Sequence, residues 1–144
     1  MIRTVLAFAA LTLGVGIAVA QDPIAARKAL MKKNGDDAKL GASMIKGEAP
    51  FDLAKAQAIF ATFQNASAKA PELFPENSKT GGETAADPKI WQNKSDFEAR
   101  LAKLGTDAKA AAPTVKDLDS FKAAFVMVGK NCSGCHEIYR IKKT

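Results

Sequence analysis

Near its C-terminus the chain carries Cys132-Ser133-Gly134-Cys135-His136. The apolar residues around this motif step by three and four in strict alternation, through Leu118, Phe121, Phe125, Val128, Cys132, Cys135 and Tyr139. That rhythm marks a helix with one buried face. Both cysteines fall on it, so both point at whatever the helix covers. Residues three apart on a helical face lie about 5 to 6 Å from each other. That separation suits thioether bonds from two cysteines to the two vinyl groups on one edge of a porphyrin. The histidine that follows is carried beneath the ring, where a neutral imidazole nitrogen ligates iron. C-x-x-C-H is the attachment signature of c-type haem. It predicts one covalent haem c, with Cys132 and Cys135 as thioether residues and His136 as the proximal iron ligand.

Other uses of the three residues fit less well. A Cys132–Cys135 disulfide closes a loop too short to stabilise the fold much. A thioredoxin-like dithiol belongs to a βαβ unit, and the chain lacks strand-like alternation. Structural zinc takes four ligands, whereas these are the only Cys and His residues present.

The other end of the chain bears on compartment. Met1-Ile2-Arg3-Thr4 is a short cationic start, residues 5–19 are uncharged and apolar, and Ala18-Val19-Ala20 is a small-residue cleavage site. This is the layout of an export signal; its glycines and its A-x-A ending argue against an uncleaved anchor. The reading is a leader over residues 1–20, a mature domain over residues 21–144 starting at Gln21, and a periplasmic product that is not an integral membrane protein. Removing Arg3 with the leader lowers the formal charge of +6 to +5. That charge is dispersed, which favours acidic partner proteins or an anionic membrane surface. One Trp, one Tyr and no interleaving of basic and aromatic residues argue against nucleic acid as a partner.

Between the two ends the pattern is all-α, in four helical segments. The first opens at Asp22-Pro23, an acidic cap with proline at the first helical position. It places Ile24, Met31, Ala38 and Ile45 at intervals of seven, with a weak point at Asn34-Gly35, and ends at Gly47 and Pro50. The second starts at Asp52, with Leu53, Ala56, Ile59, Phe60 and Phe63 as its buried stripe. Residues 70–87, broken by Pro71, Pro75 and Gly81-Gly82, form a connection longer than the usual limit of about 12 to 15, with Leu73 and Phe74 tucked onto the bundle. This length suits a lid or a docking surface. The third segment opens at Asp87-Pro88 and buries Ile90, Trp91, Phe97, Leu101 and Leu104; the fourth runs from about Asp117 into the basic tail.

A single histidine excludes bis-histidine ligation and leaves methionine, a weak ligand or an empty site opposite His136. Met127 lies nine residues before His136 on the same helix and cannot reach the far face of a ring. Met44 is near the far end of the first helix, so Met31, one turn after Arg27, is the candidate distal residue.

Arg27-Lys28-Ala29-Leu30-Met31, Lys46-Gly47-Glu48-Ala49-Pro50-Phe51-Asp52, Pro88-Lys89-Ile90-Trp91 and the C-terminal haem motif with Tyr139-Arg140 together resemble the class II cytochromes c, meaning the cytochromes c′ and their low-spin relatives. The resemblance spans the mature chain. It implies an antiparallel four-helix bundle, often a homodimer, with haem held by the last helix and covered by the first. It implies Arg27 as a haem-propionate or distal-side partner, Met31 over the iron and Arg140 as the basic residue near His136. Two functions follow from it: an electron carrier cycling Fe(III)/Fe(II) between periplasmic redox proteins, which is the preferred reading, or a five-coordinate cytochrome c′ taking nitric oxide or carbon monoxide. Neither involves enzymatic turnover, since no acid-base or nucleophile constellation accompanies the motif.

Intact-mass analysis of the exported protein is expected to give the mass of residues 21–144 plus one haem. Retention of residues 1–20, or a mass without haem, contradicts the reading.

Overall fold

The structure is a computed structural model that describes residues 22–142; the leader, its cleavage point and Gln21 lie outside the described residues. The helices among them are α1 (Pro23–Lys46), α2 (Leu53–Lys69), the single turn α3 (Lys89–Gln92), α4 (Lys94–Ala111) and α5 (Leu118–Tyr139). The four long ones pack as an antiparallel bundle, in the ring order α1, α2, α4, α5. No described helix is long and apolar enough to cross a membrane.

Local chemistry sets the helix ends. Asp22 accepts a hydrogen bond from Ile24 N, with Pro23 already in place at the first position, and Asp52 accepts from Lys55 N (2.9 Å). Asp117 and Ser120 form a reciprocal capping box at the start of α5. Gly47 closes α1 with φ +75°, the left-handed conformation that favours glycine.

Four expectations need correction. α1 runs unbroken through Asn34 and Gly35. Lys32–Asp36 and Lys33–Asp37 pairs, each 2.6 Å, straddle the glycine and add to the helical side at four-residue spacing. The third segment breaks at Asn93 (φ −133°, ψ 57°), so Asp87 caps only the short α3 and the long helix restarts at Lys94. Leu53 and Leu118 are 40% and 36% exposed; each is the first residue of its helix and projects past the end of the core. Lastly, α5 stops at Tyr139. Arg140 turns extended and bridges Ala86, flanked by bonds from Ile141 N to Ala85 O (2.9 Å) and from Asp87 N to Tyr139 O (3.0 Å).

Two apolar clusters fill the bundle. The first is built on Met44, Ile59, Phe60, Leu104, Phe121 and Val128. The second, at the other end, is built on Phe74, Ile90, Phe97, Leu101 and Tyr139. Phe74 is buried and Leu73 packs beside it, as the sequence predicts. α2 and α4 approach closely where Gly105 faces Ser67, whose hydroxyl donates to Leu101 O (2.6 Å).

Candidate functional site

One edge of the bundle is built differently from the others. α1 and α5 meet at Gly41, where an added Cβ would lie 2.6 Å from Phe125 Cε2 and 3.2 Å from Phe121 Cζ. Glycine permits this approach because it has no side chain. From that contact the helices run antiparallel toward the end of the bundle where Arg27 and Tyr139 lie. Seven residues on, Asn34 on α1 is level with Cys132 on α5, and ten residues on, Met31 is level with Cys135. Those distances are about 10 and 15 Å.

His136 lies eleven residues beyond Phe125, within about 20° of three full turns, and so shares the side of α5 that Phe125 turns toward α1. Phe125 is covered there and His136 is exposed. The helices have diverged, and His136 borders a recess at the end of α5 with Glu137, Arg140, Ile141 and Lys142. Cys132 packs at the edge of the first apolar cluster and Cys135 at the edge of the second. The gap between α1 and α5 is thus walled by thiols, a histidine and the borders of two apolar clusters.

The chemistry of these groups narrows what can fill it. Both thiols are free, and burial pushes both up from the usual cysteine range. They are neutral, not the lowered-pKa thiolates of a redox dithiol. Desolvation, with the charge of Arg140 second, holds His136 below the ordinary histidine value, favouring the neutral imidazole that binds metal. No group of three His, Cys, Asp or Glu among the described residues is arranged to hold a bare metal ion.

Arg27 adds a further constraint. It is 4% exposed. Nη1 donates to Leu73 O (3.2 Å) and Ser78 Oγ (2.9 Å), and Nη2 donates to Ser78 O (2.9 Å) and Thr84 Oγ1 (2.7 Å). Its guanidinium also lies 4.9 Å from the Phe74 ring centre and 5.7 Å from that of Trp91. All four hydrogen-bond acceptors are neutral, and desolvation lowers the Arg27 pKa, partly offset by Asp22. A buried cation without a contacting carboxylate favours an anion nearby. A porphyrin has apolar faces, two vinyl groups for thiols and two propionates for a cation, so the residues present fit haem.

Of the methionines, Met44 is 1% exposed inside the first cluster and Met127 is 44% exposed on the outside of α5. Met31 is half-buried and, among the described residues, a member of neither cluster. It sits about 80° round α1 from the line of Gly41. Arg140 is exposed at the end of α5, four residues past His136.

Behind the cysteines, Asp96 on α4 accepts from Tyr139 Oη and Arg100 Nε, both at 2.6 Å. Asp96 and Arg100, with Asn34, Ser78 and Thr84, were not marked by the apolar pattern. The available signal was the seven-residue series Arg27, Asn34, Gly41, which is the true inward line of α1.

An antiparallel four-helix bundle with C-x-x-C-H on its last helix defines the class II cytochromes c. A family model described as Cytochrome C′ matches residues 22–140. The chain is 50% identical over 133 residues to cytochrome c′ of Rhodopseudomonas palustris, covering 92% of this chain and 91% of that protein. It is 38% identical over 129 residues to cytochrome c-556 of Agrobacterium fabrum, covering 89% and 87%. The structure of cytochrome c′ from Rhodopseudomonas palustris superposes with a TM-score of 0.83 at 48% identity, over 87% of this chain and all (100%) of that one. A structural model of oxidised cytochrome c556 from the same organism gives 0.80 at 32% identity, over 87% and 100%. The chain belongs to the cytochrome c′ family, whose members are haem c proteins.

Hydrogen bonds from Arg100 first, and Tyr139 second, hold Asp96 below the usual carboxylate range. Its stabilising contribution is therefore present above the unfolded-state value of about 4 and is lost as pH falls through the lower folded-state value. In Asp96→Asn, unfolding free energy measured with denaturant should decline less steeply between about pH 4 and pH 2 than in the parent. Identical slopes contradict this.

Proposed function

We propose that the chain is a periplasmic electron carrier, with haem c bonded through Cys132 and Cys135, His136 as proximal ligand and Met31 as distal ligand. The observation that carries the proposal is the exposed His136 beside two half-buried free thiols, in a gap where the bundle otherwise packs helix on helix. When bound, haem supplies the Fe(III)/Fe(II) couple. The residues hold and bias it. Cys132 and Cys135 fix the ring between the two apolar clusters, His136 presents a neutral nitrogen, and Arg27 offers a buried positive charge toward the propionates. Arg140, which already acts on His136 through its charge, disfavours extra positive charge at the iron and so raises the potential, to a degree limited by solvent screening. Met31 supports a distal role because it is level with Cys135 and belongs to neither apolar cluster. Acidic periplasmic redox proteins are the partners that a mature charge of +5 favours, and the family resemblance adds a second copy of the chain. The reading includes no enzymatic turnover.

A second reading keeps the distal side open and takes nitric oxide or carbon monoxide. It is favoured by the position of Met31 on the flank of α1 and by the 50% identity to a protein named cytochrome c′.

Visible spectroscopy and potentiometry of Met31→Ala separate the two. Ligation by Met31 predicts a low-spin parent, a high-spin variant and a lower potential in the variant, because thioether ligation favours Fe(II). A parent that is already high-spin, with a spectrum unchanged by the substitution, removes Met31 from the iron and leaves the gas-binding reading.

A further inference from the structure

Asp96 and Arg100, one turn apart on α4, form an ion pair at 2.6 Å with both side chains partly open to solvent. A pair of this kind contributes little to stability. Its place in the fold says more than its strength. Tyr139 is 4% exposed, and its hydroxyl donates to Asp96 (2.6 Å) from the face of α5 that carries Cys135 one turn earlier. The tyrosine therefore holds the carboxylate against the end of α5, and the carboxylate in turn holds the guanidinium. Arg100 also lines a groove between α4 and α5 with Gly134, the residue before Cys135. Both charges are felt at that cysteine. Burial raises the Cys135 thiol most; Arg100 opposes the rise, and Asp96 adds to it less strongly than Arg100 opposes it.

We propose that Arg100 raises the reduction potential of a haem bonded at Cys135, and that Asp96 is the residue that positions Arg100 and limits the rise. Reduction adds one negative charge to the haem, which a nearby cation stabilises and a nearby anion opposes. An arginine keeps its charge at every working pH, so its contribution is constant. Outer groups that tune a metal centre in this way need not touch it. The proposal rests on haem attached to Cys135 and not on whether Met31 ligates iron, so it holds for an electron carrier and for a gas-binding protein alike.

Two substitutions that break the same pair give opposite signs, and this separates charge from structure. In spectroelectrochemical titration of the holoprotein at neutral pH and low ionic strength, Asp96→Asn leaves Arg100 unopposed and should raise the potential. Arg100→Gln leaves Asp96 unopposed and should lower it. Each should shift the ferrous-to-ferric ratio at a fixed applied potential by about two- to tenfold. Arg100→Lys, which keeps the charge, should stay near the parent, and the double variant Asp96→Asn, Arg100→Gln should fall between the two single ones. In about 1 M salt, where the screening length falls to about 3 Å, the shifts should shrink. Shifts of the same sign in the two single variants mean a structural effect and overturn the proposal, as does the absence of a shift in either. If one single variant fails to fold, Arg100→Lys and the double variant still decide, because a lysine variant displaced as far as Arg100→Gln or as far as the double variant removes the role of charge. Haem content and optical spin state of the same samples report attachment and the assignment of Met31 separately from the signs of the shifts.

Discussion

The approach of α1 to α5 at Gly41 is the contact on which the site depends. A glycine there lets the Phe125 ring lie against helix backbone and fixes the α1–α5 edge at one end. Toward the other end the pair diverges, and the inward line of α1 continues as Asn34 and Arg27 while Leu30 packs on the second apolar cluster. The remaining edges of the bundle hold by ordinary means. α2 packs on α4 through Gly105 and Ser67, and α4 is tied to α5 by Asp96–Tyr139 and by Asn131 donating to Asp107 (2.8 Å). A bundle closed on three edges and open on the fourth leaves two apolar clusters with a shared border, and the haem motif sits on that border.

The long connection is part of the same end. Residues 70–87 are tied down from three directions. Arg27 holds Leu73, Ser78 and Thr84 from α1, Trp91 Nε1 donates to Phe74 O (3.1 Å) and Pro75 O (3.2 Å) from α3, and the tail after Tyr139 pairs with Ala85 and Ala86. A segment with this many backbone partners is fixed wall, not a swinging lid. Arg27 therefore has two tasks: it orders the connection through its hydrogen bonds and places positive charge at the end of the gap.

Much of this was legible in the sequence. The C-x-x-C-H motif, the three-four stepping of α5 and the acidic caps at Asp22 and Asp52 each follow from local rules, and the structure keeps them. The inward line of α1 was harder to read. Apolar periodicity selected Ile24, Met31, Ala38 and Ile45, all of which are only half-buried, whereas the deepest residues are Arg27, Gly41 and Met44. Periodicity finds faces that pack against protein, and this part of α1 faces a space. The break at Asn93 was hidden for a different reason. Apolar residues continue in register across it, so only the backbone angles reveal it. The partners of Arg27 lie 46 to 57 residues away in sequence, where no local pattern reaches.

The central claim is that the two apolar clusters form one cooperative core only when haem joins them across the α1–α5 gap. Thermal unfolding of the exported protein, followed by circular dichroism, tests it in Cys132→Ser, Cys135→Ser beside the parent. The account predicts that the double variant, without attached haem, loses the sharp parental transition and melts broadly at a much lower temperature. A double variant that stays fully helical and unfolds in one sharp transition near the parental temperature would show that the bundle is complete without haem, and would contradict the account.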